Sequence, residues 1–167
     1  MTVLDPEAMF TALAAHEVEY VLIGGLAAVL HGSPLPTLDA DICPARTPEN
    51  LARLAAALVE LDARIRTRDT PGGVPFPRDA VFLKSVDLLN LVTRAGDLDV
   101  AFLPAGGIDY TALVTRARPV RVREVTIPVA DLEDVIRSKE AANRPKDQRT
   151  LPVLRQLLAE IRKRDRG

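Results

Sequence analysis

Apolar positions along this chain recur in two rhythms, and the switches between them mark out its elements. Behind Asp5 and Pro6, the residues Met9, Phe10, Leu13 and Ala14 recur at helical spacing. This predicts a helix from Asp5 to about Glu17, capped by the aspartate and opened by the proline. Tyr20-Val-Leu-Ile23 is a short apolar run, strand-like in length and branching. Gly24-Gly25 ends it, a short helix follows over Leu26 to His31, and Gly32-Ser33-Pro34 with Pro36 breaks the chain again. Leu38 to Cys43 reads as the next strand. Thr47, Pro48 and Glu49 then open a helix whose Leu51, Leu54, Ala55, Leu58 and Leu61 share one face.

Ala63 to Thr67 reads as a further short strand. Residues 68–78 hold three prolines and two adjacent glycines, so they form a loop, expected to border a ligand site. Asp79 to about Ser85 is a helical turn. Leu88 to Thr93 and Leu98 to Leu103 flank Arg94-Ala-Gly-Asp97, a hairpin pattern. Asp109 caps a helix to about Ala117, and Val120 to Val129, interrupted by Glu124, offers further short strands. Asp131 caps a helix carrying Leu132, Val135, Ile136 and Lys139. Asn143-Arg-Pro-Lys146 breaks it, and Asp147 starts a last helix, with Pro152 expected in about its first turn. The mixture predicts an α+β fold: a mixed, twisted sheet flanked by helices. A single domain is expected over 1–167, with a sheet-containing core over 1–130 and a C-terminal helical layer over 131–167.

Composition sharpens this picture in three ways. An apolar share of 47% is ample for a core, and with two Tyr, four Phe and no Trp that core is mostly Leu, Val, Ala and Ile. No stretch approaches the roughly 18 apolar residues of a spanning helix, and the early Asp5 and Glu7 do not fit a signal peptide. The lone Cys43 excludes an internal disulfide and a cysteine-built metal site, which fits a reducing cytosol. The net charge of −1 hides an asymmetry: residues 1–112 hold 8 Lys/Arg against 15 Asp/Glu, residues 113–167 hold 14 against 8. An acidic half beside a basic half suits a polyanionic substrate, although a solvated basic helix face gives the same count.

The candidate chemistry lies in Tyr20 to Pro44. Strand side chains alternate faces, so Asp39 and Asp41 project together with Ala40 turned away. Two carboxylates side by side raise each other's pKa unless a cation sits between them, and a divalent metal meets that need. A third acid, Asp99, is embedded in the apolar run Leu98 to Phe102, where an ionised carboxylate is costly without a counter-charge. Asp97 shares its parity but sits nearer the hairpin turn, where Asp is a turn former, so Asp99 is preferred. The glycines Gly24 and Gly25 can bring backbone N–H groups to a phosphate. Three acids, two Mg²⁺ ions roughly 3.5–4 Å apart and a phosphate cradle make nucleotidyl transfer the chemistry to expect.

These residues resemble the polymerase-β-like nucleotidyltransferase superfamily: Gly24-Gly25, Gly32-Ser33, Thr37-Leu-Asp39-Ala-Asp41-Ile and Leu-Asp99-Val. Ser138-Lys139 through Asn143-Arg144-Pro145-Lys146-Asp147 is similar to motifs of the AbiEii/MenT-type toxins of bacterial toxin–antitoxin pairs. The resemblance implies that Asp39, Asp41 and Asp99 bind metal, that Gly24, Gly25 and Ser33 shape the triphosphate site, that Lys139 meets triphosphate charge, and that Asp147 steadies Lys139 or the edge of the site. It implies an NTP substrate, a tRNA 3′ end as acceptor and a cognate antitoxin as partner. A protein or small-molecule acceptor, and a catalytically silent interaction module, are the rival readings. The chain departs from the pattern at Leu35 and Leu38, where relatives often carry arginine; Arg78 or Arg144 would then supply the phosphate contact. The expected placement is an acidic site at one sheet edge with a basic helical layer beside it. His31 is expected to be structural, and nothing in its spacing directs Lys84 to the nucleotide.

Overall fold

Four consecutive buried residues, Tyr20–Ile23, form β1, and they are buried because this strand runs through the interior of a sheet. In the computed structural model, which describes residues 2–167, the remaining strands are β2 (Asp39–Pro44), β3 (Arg64–Ile65), β4 (Leu88–Thr93), β5 (Gly96–Ala101), β6 (Arg118–Val122) and β7 (Val125–Val129). The helices are α1 (Pro6–Ala15), α2 (Gly24–Leu30), α3 (Pro48–Glu60), α4 (Ala80–Lys84), α5 (Tyr110–Arg116), α6 (Leu132–Ala142) and α7 (Pro145–Arg166). The strands form one sheet in the order β3-β4-β5-β2-β1-β7-β6. It is mixed, as expected: β2 runs parallel to β5 and β1 to β7, while the other neighbours are antiparallel.

The alternation read from the sequence becomes a division between two faces. Ala40, Ile42, Leu98, Val100, Leu89 and Leu91 are buried on one side. Asp39, Asp41, Asp97 and Asp99 are on the other, only partly covered. Helix α1 packs on α3, and α2 packs on β1, β2 and α6, which in turn packs on α7. Each fully buried leucine of this core contributes about 1.5–3 kcal/mol relative to exposure. Asn50, wholly buried on α3, accepts from Glu19 N at 2.7 Å and donates to the carbonyls of Glu19 and Ala45. One side chain thereby ties the start of β1 to the end of β2, and helps hold the register that pairs Ile23 with Asp41.

Four expectations are corrected. The acids do not lie at a sheet edge: β2 and β5 are interior strands, because β2 pairs with both β1 and β5, and β5 with both β2 and β4. The short helix begins at Gly24 itself rather than after the glycines. Residues 68–78 do not line the large cleft that holds Asp39, Asp41 and Asp99; Val74 instead bridges Ile65. Pro152 sits inside α7 rather than in its first turn. Both Pro152 and Gln148 are exposed there, so water can take the carbonyl that the missing N–H leaves free. The remaining boundaries shift by a few residues. His31 is structural, its Nε2 meeting the Ala130 carbonyl at 2.7 Å.

Candidate active site

Parallel pairing of β2 with β5 sets Asp41 directly beside Asp99 and Asp39 beside Asp97. Asp39, Asp41 and Asp99 each bring one carboxylate oxygen within 4.8 Å of the others'. The pair spacing within β2 was legible from parity; the third member depended on the strand register. Burial, then the charges of Asp39 and Asp99, pushes the Asp41 carboxyl up to about 8. Burial also raises Asp99, opposed by the Arg66 guanidinium. A cluster that destabilises its own ionised form is one that a cation would relieve. The donors are all carboxylate oxygens, the set that Mg²⁺ prefers, so the residues fit that ion.

Arg66 was not anticipated. Its Nη2 donates to Asp99 Oδ1 at 2.8 Å, and its Nη1 lies 3.3 Å from Asp97 Oδ2 and donates to the Leu91 carbonyl. It follows the two-residue edge strand β3, whose pairing to β4 brings it over the face carrying the acids. Nothing in the sequence gives that register. Asp97, set aside as a turn former, serves as the second anchor of the same guanidinium.

The glycine turn meets the acids from the β1 side. Gly24 has φ +72°, and a Cβ there would lie 2.8 Å from Asp41 Cγ, so only glycine lets the chain pass this close. At Gly25 a Cβ would meet Thr37 Oγ1 at 3.1 Å. No side chain caps the N-terminus of α2. Ser33 is buried, and its Oγ accepts from Leu35 N at 3.2 Å. Gly24, Gly25, Ser33, Thr37 and the three acids all line one cleft of about 650 Å³.

A basic wall faces them. Lys139, on the last turn of α6, enters the cleft, and its Nζ lies 3.6 Å from Asp147 Oδ1. Arg144 and Lys146, at the start of α7, line the same cleft. Asp147 is wholly buried behind them, its Oδ2 accepting from Arg144 N at 3.1 Å and Arg144 Nε at 2.8 Å. It therefore supports Lys139 and Arg144 rather than lining the cleft. Burial would raise its pKa, but the Arg144 hydrogen bonds and the Lys139 charge outweigh that and hold it lowered. The stability it contributes is then present above the ordinary aspartate range and is lost as pH falls through the lowered value. Asp147→Ala leaves Arg144 and Lys139 without this anchor, and a loss of about 1–3 kcal/mol is expected in urea melts near neutral pH, shrinking toward acid. Equal stability of the two proteins at neutral pH would contradict this. Of the two arginines offered for the phosphate contact, Arg144 reaches the cleft; Arg78 pairs with Asp62 at 3.5 Å and does not line it. Lys84 does not line it either.

No protein-family model matches the sequence. No curated protein matches it. Solved structures do match. A protein from Thermotoga maritima, provisionally named a nucleotidyltransferase, is 19% identical, covering 95% of this chain and 97% of its own, with a TM-score of 0.55. The lincosamide antibiotic adenylyltransferase LnuA, solved with lincomycin bound, is 16% identical, covering 93% of this chain and 99% of its own, with a TM-score of 0.58. At such identity the likeness shows the fold alone: this chain shares with both structures an α+β fold, a mixed sheet flanked by helices with further helices at the C-terminal end. Among the described residues, no helix is long and apolar enough to cross a membrane.

Proposed function

We propose that this protein is a magnesium-dependent nucleotidyltransferase, moving NMP from an NTP to an acceptor hydroxyl with release of pyrophosphate. The observation that carries this reading is the convergence of Asp39, Asp41 and Asp99 within 4.8 Å, in a cleft walled by Lys139. Divalent ions held by these acids, two being expected, would neutralise the clustered charge and polarise the α-phosphate. The residues supply the rest. The Gly24 turn stands against the Asp41 carboxylate, and Gly24 and Gly25 line the part of the cleft where the triphosphate would lie. Asp99 takes the proton of the attacking hydroxyl as its oxygen bonds to the α-phosphorus. The bond from that phosphorus to the β-phosphate oxygen breaks, and Lys139, with Arg144 and Lys146 beside it, stabilises the charge on the departing pyrophosphate. Asp147 keeps Lys139 aimed.

On the acceptor the two similarities diverge. The sequence resemblance implies a tRNA 3′ end, and with it a toxin and its antitoxin. The name of LnuA describes transfer to an antibiotic, which favours a small acceptor. The silent-module reading is disfavoured by the complete acid cluster.

The test is label transfer from each of the four α-labelled NTPs, with Mg²⁺ and either total tRNA, cell-extract protein or the low-molecular-mass filtrate of a cell extract. Transfer is expected from at least one NTP. Asp39→Ala should lower it about a hundredfold or more by removing a metal-binding carboxylate. Neither transfer nor NTP binding from any of the four would refute the proposal.

A further inference from the structure

We infer that the acceptor is a small hydroxylic molecule with an apolar body and no negative charge, seated beside Asp99 on a shelf formed by Leu88, Ala101, Leu103 and Pro104. This rests on the nucleotidyl-transfer reading and identifies its second substrate.

In an in-line displacement the attacking and leaving oxygens stand on opposite sides of the phosphorus. The glycine turn and Ser33 meet the acids from the β1 side, and the leaving pyrophosphate belongs there. The attacking hydroxyl must come from the other side, past β5, within hydrogen-bond reach of Asp99. That side is β4. Asn90 stands opposite Asp99, and Leu88 opposite Ala101. Same-face strand residues are spaced at i and i+2, so Leu88 and Ala101 lie one step beyond Asn90 and Asp99, and Leu103 and Pro104 continue off the end of β5. All four line the cleft. Leu88 is 56% exposed and Leu103 60%. Exposed leucines beside the acid cluster are what an apolar ligand surface would cover.

The charges on this side argue against a nucleic-acid acceptor. Arg66 is already held by Asp97 and Asp99. Arg46, beyond the shelf, is bound to Asp87 at 2.9 Å. The cations that line the cleft, Lys139, Arg144 and Lys146, come from α6 and the start of α7 rather than from β4 or β5, and the proposed reaction places them on the triphosphate. An RNA end needs cations along its phosphates and commonly aromatic faces for its unstacked bases. Among the described residues no aromatic side chain lines the cleft. A neutral or cationic molecule avoids both problems.

The experiment offers α-labelled NTP and Mg²⁺ to three acceptor pools, the low-molecular-mass filtrate of a cell extract, total tRNA and extract protein. It compares wild type with Leu88→Asp and with Leu103→Asp. NTP binding is measured in parallel by equilibrium dialysis. Both leucines are more than half exposed, so the variants should fold, checked by unchanged thermal melting. The expected result is label on a filtrate component, reduced about tenfold or more in each variant through the loss of one apolar contact and the added charge, with NTP binding unchanged. Label on tRNA or protein instead, or filtrate labelling that both variants retain, overturns the acceptor assignment and leaves NMP transfer standing. Absence of both NTP binding and transfer removes the reading beneath it as well.

Discussion

Asp41→Asn is expected to abolish NMP transfer while making the metal-free protein more stable, two effects that usually oppose each other. The loss of activity, about a thousandfold or more, follows from removing one carboxylate of the proposed metal-binding cluster, packed beside Asp99. The gain in stability follows from the state of that carboxyl. Its folded value is pushed up to about 8 from an ordinary 3.8, by burial and by the charges of Asp39 and Asp99. A raised value means that the folded chain holds a proton which the unfolded chain releases. The stability this contributes is present below the ordinary aspartate range and is lost as pH rises through about 8. At about 1.4 kcal/mol per unit the ceiling is about 6 kcal/mol; partial solvation reduces it to about 1–3 kcal/mol. Melting in EDTA checks this: at about pH 8.5 the variant should melt above wild type, and the gap should narrow steadily as pH falls, closing only near the ordinary aspartate value. Mg²⁺ should raise the melting temperature of wild type and leave the variant nearly unmoved. A variant no more stable than wild type in EDTA at the higher pH would mean that the cluster is not strained by its own charge. Retained transfer would mean that Asp41 is not a metal ligand.

That reversal of sign also shows where the sequence was informative. Asp39 and Asp41 share a face by parity alone, and Asp99 stood out because an acid among Leu98, Val100 and Phe102 needs a partner. Those are local rules, and they survive any arrangement of the strands. The arrangement itself is not local. The acids came to lie in mid-sheet because β5 pairs parallel with β2 on the side away from β1, while β4 covers the other side of β5, and no periodicity specifies that parallel pairing. Arg66 was invisible for the same reason: its meeting with Asp97 and Asp99 depends on the register of the two-residue strand β3 against β4. Lys139 and Asp147 were paired through resemblance to known motifs, not through any local rule; the structure sets Lys139 Nζ 3.6 Å from Asp147 Oδ1. Gly24 was read as a phosphate cradle, but its tightest constraint is the Asp41 side chain it faces.

Gly24→Ala turns that last point into a second large effect. Alanine at φ +72° costs about 1–2 kcal/mol relative to glycine. Its methyl group would also stand 2.8 Å from Asp41 Cγ, so either the turn or the carboxylate must move. A displacement of about 1 Å at a reacting centre can cost about a hundredfold in rate, and kcat should fall by that order with a higher Mg²⁺ requirement. Gly72→Ala is the control. Gly72 also has a positive φ, +86°, but an added Cβ meets nothing within 4 Å, and the residue lies outside the cleft. It should lose stability by a similar backbone cost and keep its activity. Comparing kcat and thermal melting for the two variants separates strain from site geometry. Comparable activity in both would mean that the close approach of Gly24 to Asp41 does not set the position of the carboxylate. A selective loss in Gly24→Ala would mean that the turn fixes where the metal-binding acid points, with the absence of a side chain at residue 24 as its physical cause.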